Sequence, residues 1–175
     1  MLDVTSNCCL PRAKHLVFLM LVTLFMSSIV LHAFAVTGQG SVQLSVQGYG
    51  NLSGQLLNIS LQPNGDVSMV MAFNGKLQTP YGSFSVIGTG VWIGVANESN
   101  LSGTIQSITG QVQICVLSCS NANFVGKGDW TGSMMNLAAS GTLSGTITFT
   151  NSPYPQQLPP NQLIPITGAW NAELP

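Results

Sequence analysis

From Val36 onward the sequence predicts an all-β domain, an antiparallel β-sandwich or a partly open barrel. Three observations carry that prediction. Apolar and polar residues alternate one by one, and no segment sustains a helical period. Gly, Asn and Pro punctuate the alternation at short intervals. Ser, Thr, Asn, Gln and Gly supply the polar positions almost without ions.

The elements follow in order. Val42, Leu44 and Val46 share one face of residues 41–47, with Gln43 and Ser45 on the other, which predicts a first strand. Leu57, Ile59 and Leu61 make the next stripe, and Val67, Met69, Met71 and Phe73 a third. Pro63-Asn64-Gly65-Asp66 and Asn74-Gly75 are turn sequences, because Asn and Gly accept the positive φ of tight hairpins. Residues 57–77 therefore predict a three-stranded meander. Further strands are expected around residues 84–87, 90–95, 104–108, 111–117, 141–150 and 164–170. The segment 152–165 holds five prolines and is expected to be extended, as an edge or a linker. Residues 36–175 suffice for a single domain with its own core.

All three tryptophans follow a Gly-x pattern, at Gly90-Val91-Trp92, Gly128-Asp129-Trp130 and Gly168-Ala169-Trp170. That spacing predicts bulky rings covering glycines of neighbouring strands.

Residues 1–35 read as a signal peptide. A polar start ends in Arg12 and Lys14, an apolar run follows, and Ala33-Phe34-Ala35 offers the small-x-small pattern of a cleavage site. The alternative is a retained anchor, since residues 16–36 are long enough to cross a bilayer. In both cases the positive charges precede the apolar run, so the rest of the chain faces outward and the expected location is extracellular or cell-surface. Cys8 and Cys9 belong to the leader. Cys115 and Cys119 remain, and an oxidising compartment lets them form a disulfide across a short loop. Four sequons, at Asn51, Asn58, Asn97 and Asn100, are glycosylation candidates in an exported chain.

The composition narrows the chemistry. Both histidines, His15 and His32, lie in the leader, and only Asp66, Lys76, Glu98, Lys127, Asp129 and Glu173 are charged beyond it. An average domain has about a quarter of its residues charged. General acid–base catalysis calls on His or on paired carboxylates, and none of the four remaining carboxylates has a neighbour in sequence. Two cysteines without histidine make a poor zinc site. Two lysines cannot neutralise a nucleic-acid backbone. No catalytic residue, metal or cofactor is expected, and no nucleic-acid partner; a membrane enters only if the leader is retained.

Two kinds of function remain for such a chain. Trp92, Trp130 and Trp170, if exposed, could stack on sugar rings in a small carbohydrate-binding or adhesion module. The strand carrying Val42, Leu44 and Val46, just after a glycine-containing start, could instead complete the sheet of a neighbouring copy. With its leader, low-charge β-rich body and sequons, this layout resembles archaeal secreted filament subunits of the thread or bundling-pilus kind. The resemblance implies a donor strand at Val42, Leu44 and Val46. The leading expectation is a secreted or cell-surface structural β protein, a filament subunit joined by donor-strand exchange. Its expected partners are further copies or cell-surface components. The alternatives are the carbohydrate-binding module and a membrane-anchored surface protein.

Overall fold

The computed structural model describes residues 38–115 and 118–174. The leader, with Cys8, Cys9, the Ala33-Phe34-Ala35 triplet and the expected mature start at Val36, lies outside the described residues. Eight antiparallel strands follow one another around a closed barrel: β1 (Gly38–Val46), β2 (Gly50–Leu61), β3 (Asp66–Thr79), β4 (Gly82–Asn97), β5 (Asn100–Cys115), β6 (Cys119–Met135), β7 (Ala138–Asn151) and β8 (Ile164–Glu173). Each strand pairs with the next, and β1 closes the ring on β8, from Gln39↔Glu173 to Val46↔Ile166. The all-β, antiparallel expectation is met. Of the two architectures expected, the barrel is found and not the sandwich, and its wall is closed rather than partly open. Closure removes the free edges that an open sheet would have to protect.

Alternation builds the wall. Val42, Leu44 and Val46 point inward from β1, while Gln43 and Ser45 face out. An eight-stranded barrel is just wide enough for its own side chains to fill, and these do. Phe73, Phe124 and Phe149 form one aromatic layer, with neighbouring centroids 6.1–6.2 Å apart. Trp92, Trp130 and Trp170 form a second, with centroids 5.6–6.3 Å apart. An interior cavity beside Phe73 and Phe124, lined otherwise by aliphatic side chains, measures about 10 Å³, about one water probe at most. Apolar residues inside and Ser, Thr, Asn and Gln outside invert the pattern of a membrane-spanning barrel. Among the described residues, no helix is long and apolar enough to cross a membrane.

Two of the three tryptophans, Trp130 and Trp170, cover glycines of other strands, whereas Trp92 touches only Gly90 of its own strand. A methyl group on Gly94 would lie 2.6 Å from Trp130 Cζ2, and one on Gly132 would lie 2.5 Å from Trp170 Cζ2. The indole N–H of Trp130 donates to Ile93 O, and that of Trp170 to Thr131 O, both at 3.2 Å.

Several boundaries differ from expectation, each for a local reason. Asn74-Gly75 is no turn: β3 runs straight through it, and the chain reverses at Pro80-Tyr81. Extended pairing with β2 and β4 on both sides overrides the turn propensity of the dipeptide. Leu57, Ile59 and Leu61 do not share a face. Asn58 adopts φ 52° in a bulge between Leu57 and Ser60, which leaves Leu57 outside and turns Ile59 in. The separate strands expected at 84–87 and 90–95 are one strand, β4, and those at 104–108 and 111–117 belong to β5. The sequence reading missed β6 altogether. Its inward positions include Gly126, Gly128 and Gly132, so the apolar stripe is broken: Gly132 leaves room for the Trp170 ring, Gly126 for Ile147, and Gly128 lies against the β7 backbone.

The proline-rich segment connects β7 to β8, with Ile164 and Pro165 already in β8 and Pro160 bridged to Phe149. It folds over the end of the barrel that carries the β1–β2 connection, here called the upper end. Leu158 is fully buried beneath it, Tyr49 Oη donates to Gln157 O at 3.0 Å, and Asn161 N–H donates to Phe149 O at 3.0 Å. At the lower end Leu174 is buried, and its N–H donates to Leu137 O at 2.7 Å.

Candidate binding groove on the outer wall

With the interior filled, the wall itself is the surface able to meet a partner. A depression of about 950 Å³, the largest described among these residues, crosses five strands from β2 to β6. Register explains it. Gly54, Phe73, Gly88, Gly110 and Phe124 occupy one cross-strand row and all face inward. Three of the five lack a side chain, so the wall is thin there and its backbone forms a floor. Two outward rows flank the floor as banks: Ser53, Asn74, Ile87, Gln111 and Asn123 on one side, Gln55, Ala72, Thr89, Thr109 and Val125 on the other. At about 4.8 Å per strand, the four steps between five strands make a trough about 19 Å long.

The glycines are held in place by what they touch. A Cβ on Gly88 would run into the Phe73 ring, and one on Gly110 into the Phe124 ring. The aromatic layer and the groove are thus two sides of one packing solution.

The banks are neutral and rich in hydrogen-bonding groups. Thr89 Oγ1 and Thr109 Oγ1 lie 3.5 Å apart across the β4–β5 pair. Asn123 Oδ1 is buried without a hydrogen-bond partner, so a turn of its side chain would offer an acceptor to a bound hydroxyl. Three smaller grooves of 630–670 Å³ lie elsewhere on the wall, and each has a charged residue in its lining: Glu173, Asp66, or Lys127 with Asp129. The five-strand groove has none.

The residues expected from sequence to carry function fall elsewhere. Trp92, Trp130 and Trp170 lie inside the barrel, at most 3 % exposed, so they cannot stack on a sugar there. Of the tyrosines, Tyr81 is 68 % exposed at the β3–β4 turn, while Tyr49 and Tyr154 pack against the core. Val42, Leu44 and Val46, expected as a donated strand, are buried in the chain's own barrel and are paired on both sides. Cys115 and Cys119 form a disulfide joining the upper ends of β5 and β6. Asn51, Asn58, Asn97 and Asn100 are all exposed. No cluster of three or more His, Cys, Asp or Glu able to hold a metal occurs among the described residues. The groove was not foreseen, because Gly54, Gly88 and Gly110 become neighbours only through cross-strand register.

Comparison with protein-family models, curated proteins and solved structures finds no match to this chain.

Proposed function

We propose that this chain is an exported, non-enzymatic barrel of the cell surface or extracellular matrix, and that it grips a neutral polysaccharide strand along the five-strand groove. The observation that carries the reading is the groove itself: uncharged, amide- and hydroxyl-lined, and long enough for an extended polymer. Neutral sugars offer hydroxyls that pair with Asn, Gln and Thr, and C–H faces that rest on the exposed side chains of Ile87 and Val125 on the banks. The apolar leader supports export, and the sequons and the disulfide suit an oxidising compartment. A leader that stays in the membrane would tether the same barrel to the surface.

The reading of a filament built by strand donation has less support. β1 is hydrogen-bonded along both edges, so donation would first require two ladders to open.

The test is binding of the purified protein to an array of neutral and acidic polysaccharides. Neutral chains should bind, and the double substitution Gln55→Ala with Gln111→Ala should weaken binding about thirtyfold, for two hydrogen bonds at about 1 kcal/mol each. Unchanged binding in that variant, or a preference for acidic chains, would discard the groove. Electron microscopy of the same sample tests strand donation, which requires filaments.

A further inference from the structure

One half of the wall differs from the rest. Leu57 on β2 pairs across to Val70 on β3, which pairs to Val91 on β4, and Ile93 and Val95 continue the band down β4. These side chains face outward, and Leu57, Val91, Ile93 and Val95 are 36–50 % exposed. The outward faces of β7 and β1 carry Ser, Thr and Gln at the same depths. Elsewhere the outward faces of the strands expose large apolar side chains singly, as at Ile87 and Val125, so a contiguous apolar band calls for a cover.

The four sequons lie on this same half and none on the other. Asn97 and Asn100 flank the turn just below Val95, and Asn58 stands beside Leu57. The bulge sets Asn58 apart. It lifts the residue out of both ladders, and Leu57 and Asn58 then face solvent side by side. Asn is among the few residues that adopt φ 52° cheaply, which explains the conformation but not the Ser two positions later.

We propose that Asn58 is an N-glycosylation site and that its glycan lies over the Leu57–Val70–Val91 band. The proposal rests on the export reading above. In the transfer, Asn58 Nδ2 bonds to the anomeric carbon of a lipid-pyrophosphate-linked oligosaccharide. The bond from that carbon to the pyrophosphate oxygen breaks, the lipid pyrophosphate leaves, and the amide proton passes to a base of the transferase. The C–H faces of the sugars then cover the aliphatic side chains while their hydroxyls stay in water.

The test is glycopeptide mapping of the full chain secreted by a eukaryotic host that modifies sequons, with the Ser60→Ala variant alongside. That variant loses the sequon and keeps Asn58 in its bulge. Asn58 should be occupied in most molecules, and Ser60→Ala should bind several-fold more of an apolar-surface dye while melting as the unsubstituted protein does after enzymatic deglycosylation. A Leu57→Ser change added to Ser60→Ala should reverse the gain in dye binding. Glycan on Asn51, Asn97 or Asn100 with Asn58 bare would overturn the site and leave export standing. Four bare sequons on the secreted chain would overturn the site and leave export standing, whereas a chain that the host never secretes would overturn the export reading itself. An occupied Asn58 with unchanged dye binding in Ser60→Ala would overturn the covering role.

Discussion

The two halves of the barrel solve the same packing problem differently. The lower half packs three tryptophans on one another, with Trp170 edge to face on the other two and glycines making room for Trp130 and Trp170, and ends in short connections such as Glu98-Ser99 and Asn136-Leu137. The upper half uses three phenylalanines with aliphatic side chains, and is closed by a twelve-residue proline-rich cap and a disulfide. Stability below comes from the wall's own inward residues. Above, it depends in part on segments added to the wall. The contrast also separates roles: the groove's floor is the outer side of the phenylalanine layer, where glycines thin the wall.

The largest expected effect tests that division. Trp130→Ala should cost about 4 kcal/mol, as buried aromatic truncations do. Leu158→Ala in the cap should cost about 2 kcal/mol, because a loop can settle into the space left. Equal shifts of the urea midpoint would erase the distinction between wall and cap. Next, reducing Cys115–Cys119 should lower stability by about 2 kcal/mol, the chain-entropy value for so short a loop. It should leave the near-ultraviolet signal of the tryptophan layer intact, and a lost signal would mean that the halves are not independent.

Within the lower layer the three indoles differ. Trp92 Nε1 is buried without an acceptor, whereas Trp130 and Trp170 each donate to a backbone carbonyl. Trp130→Phe should therefore be about 1 kcal/mol more costly than Trp92→Phe. The reverse order in thermal melts would show that the Trp92 N–H has found a partner, such as an aromatic face.

A smaller effect of opposite sign belongs to the lower turn. Leu137 holds φ 69° and is 59 % exposed, a left-handed conformation that a bulky side chain disfavours. Leu137→Gly should raise stability by about 1 kcal/mol. A loss instead would mean that the leucine makes a contact worth more than its strain.

The subtlest test concerns the cap. Burial raises the Tyr49 pKa above its ordinary value of 10.0, and the neutral hydroxyl donates to Gln157 O. The folded state therefore favours the protonated phenol. This contribution is complete below about pH 10 and fades as the pH rises through the raised value. Melting temperature should fall more steeply above pH 10 in the unsubstituted protein than in Tyr49→Phe. Parallel curves would remove Tyr49 from the account of alkaline loosening.

Strand type was legible in the sequence wherever inward positions were aliphatic, as at Val42, Leu44 and Val46 or at Val67, Met69 and Met71. It was obscured where glycine took an inward place, as in β6, because glycine does not register as apolar. Gly-x-Trp spacing announced rings over glycines, but not that those rings would lie inside a closed barrel and out of reach of any ligand. The bulge at Asn58 depends on pairing with both neighbours, and local alternation pointed the wrong way there. The groove was the least legible feature, since it joins residues from five strands through register alone.

The order of the strands has a consequence for how the barrel is made. Every pairing joins sequence neighbours except β1 with β8, which spans nearly the whole described chain. Local hairpins form in microseconds, whereas a contact between distant segments first has to meet the entropy of closing a long loop. A chain released amino end first would therefore assemble a curling meander early and keep two raw edges until its last strand arrived. During that interval the outer edges of β1 and β7 would be adhesive. The time between the emergence of β7 and the docking of β8 thus becomes the window in which this protein is most exposed to misassembly, and the ten residues of β8 act as its latch.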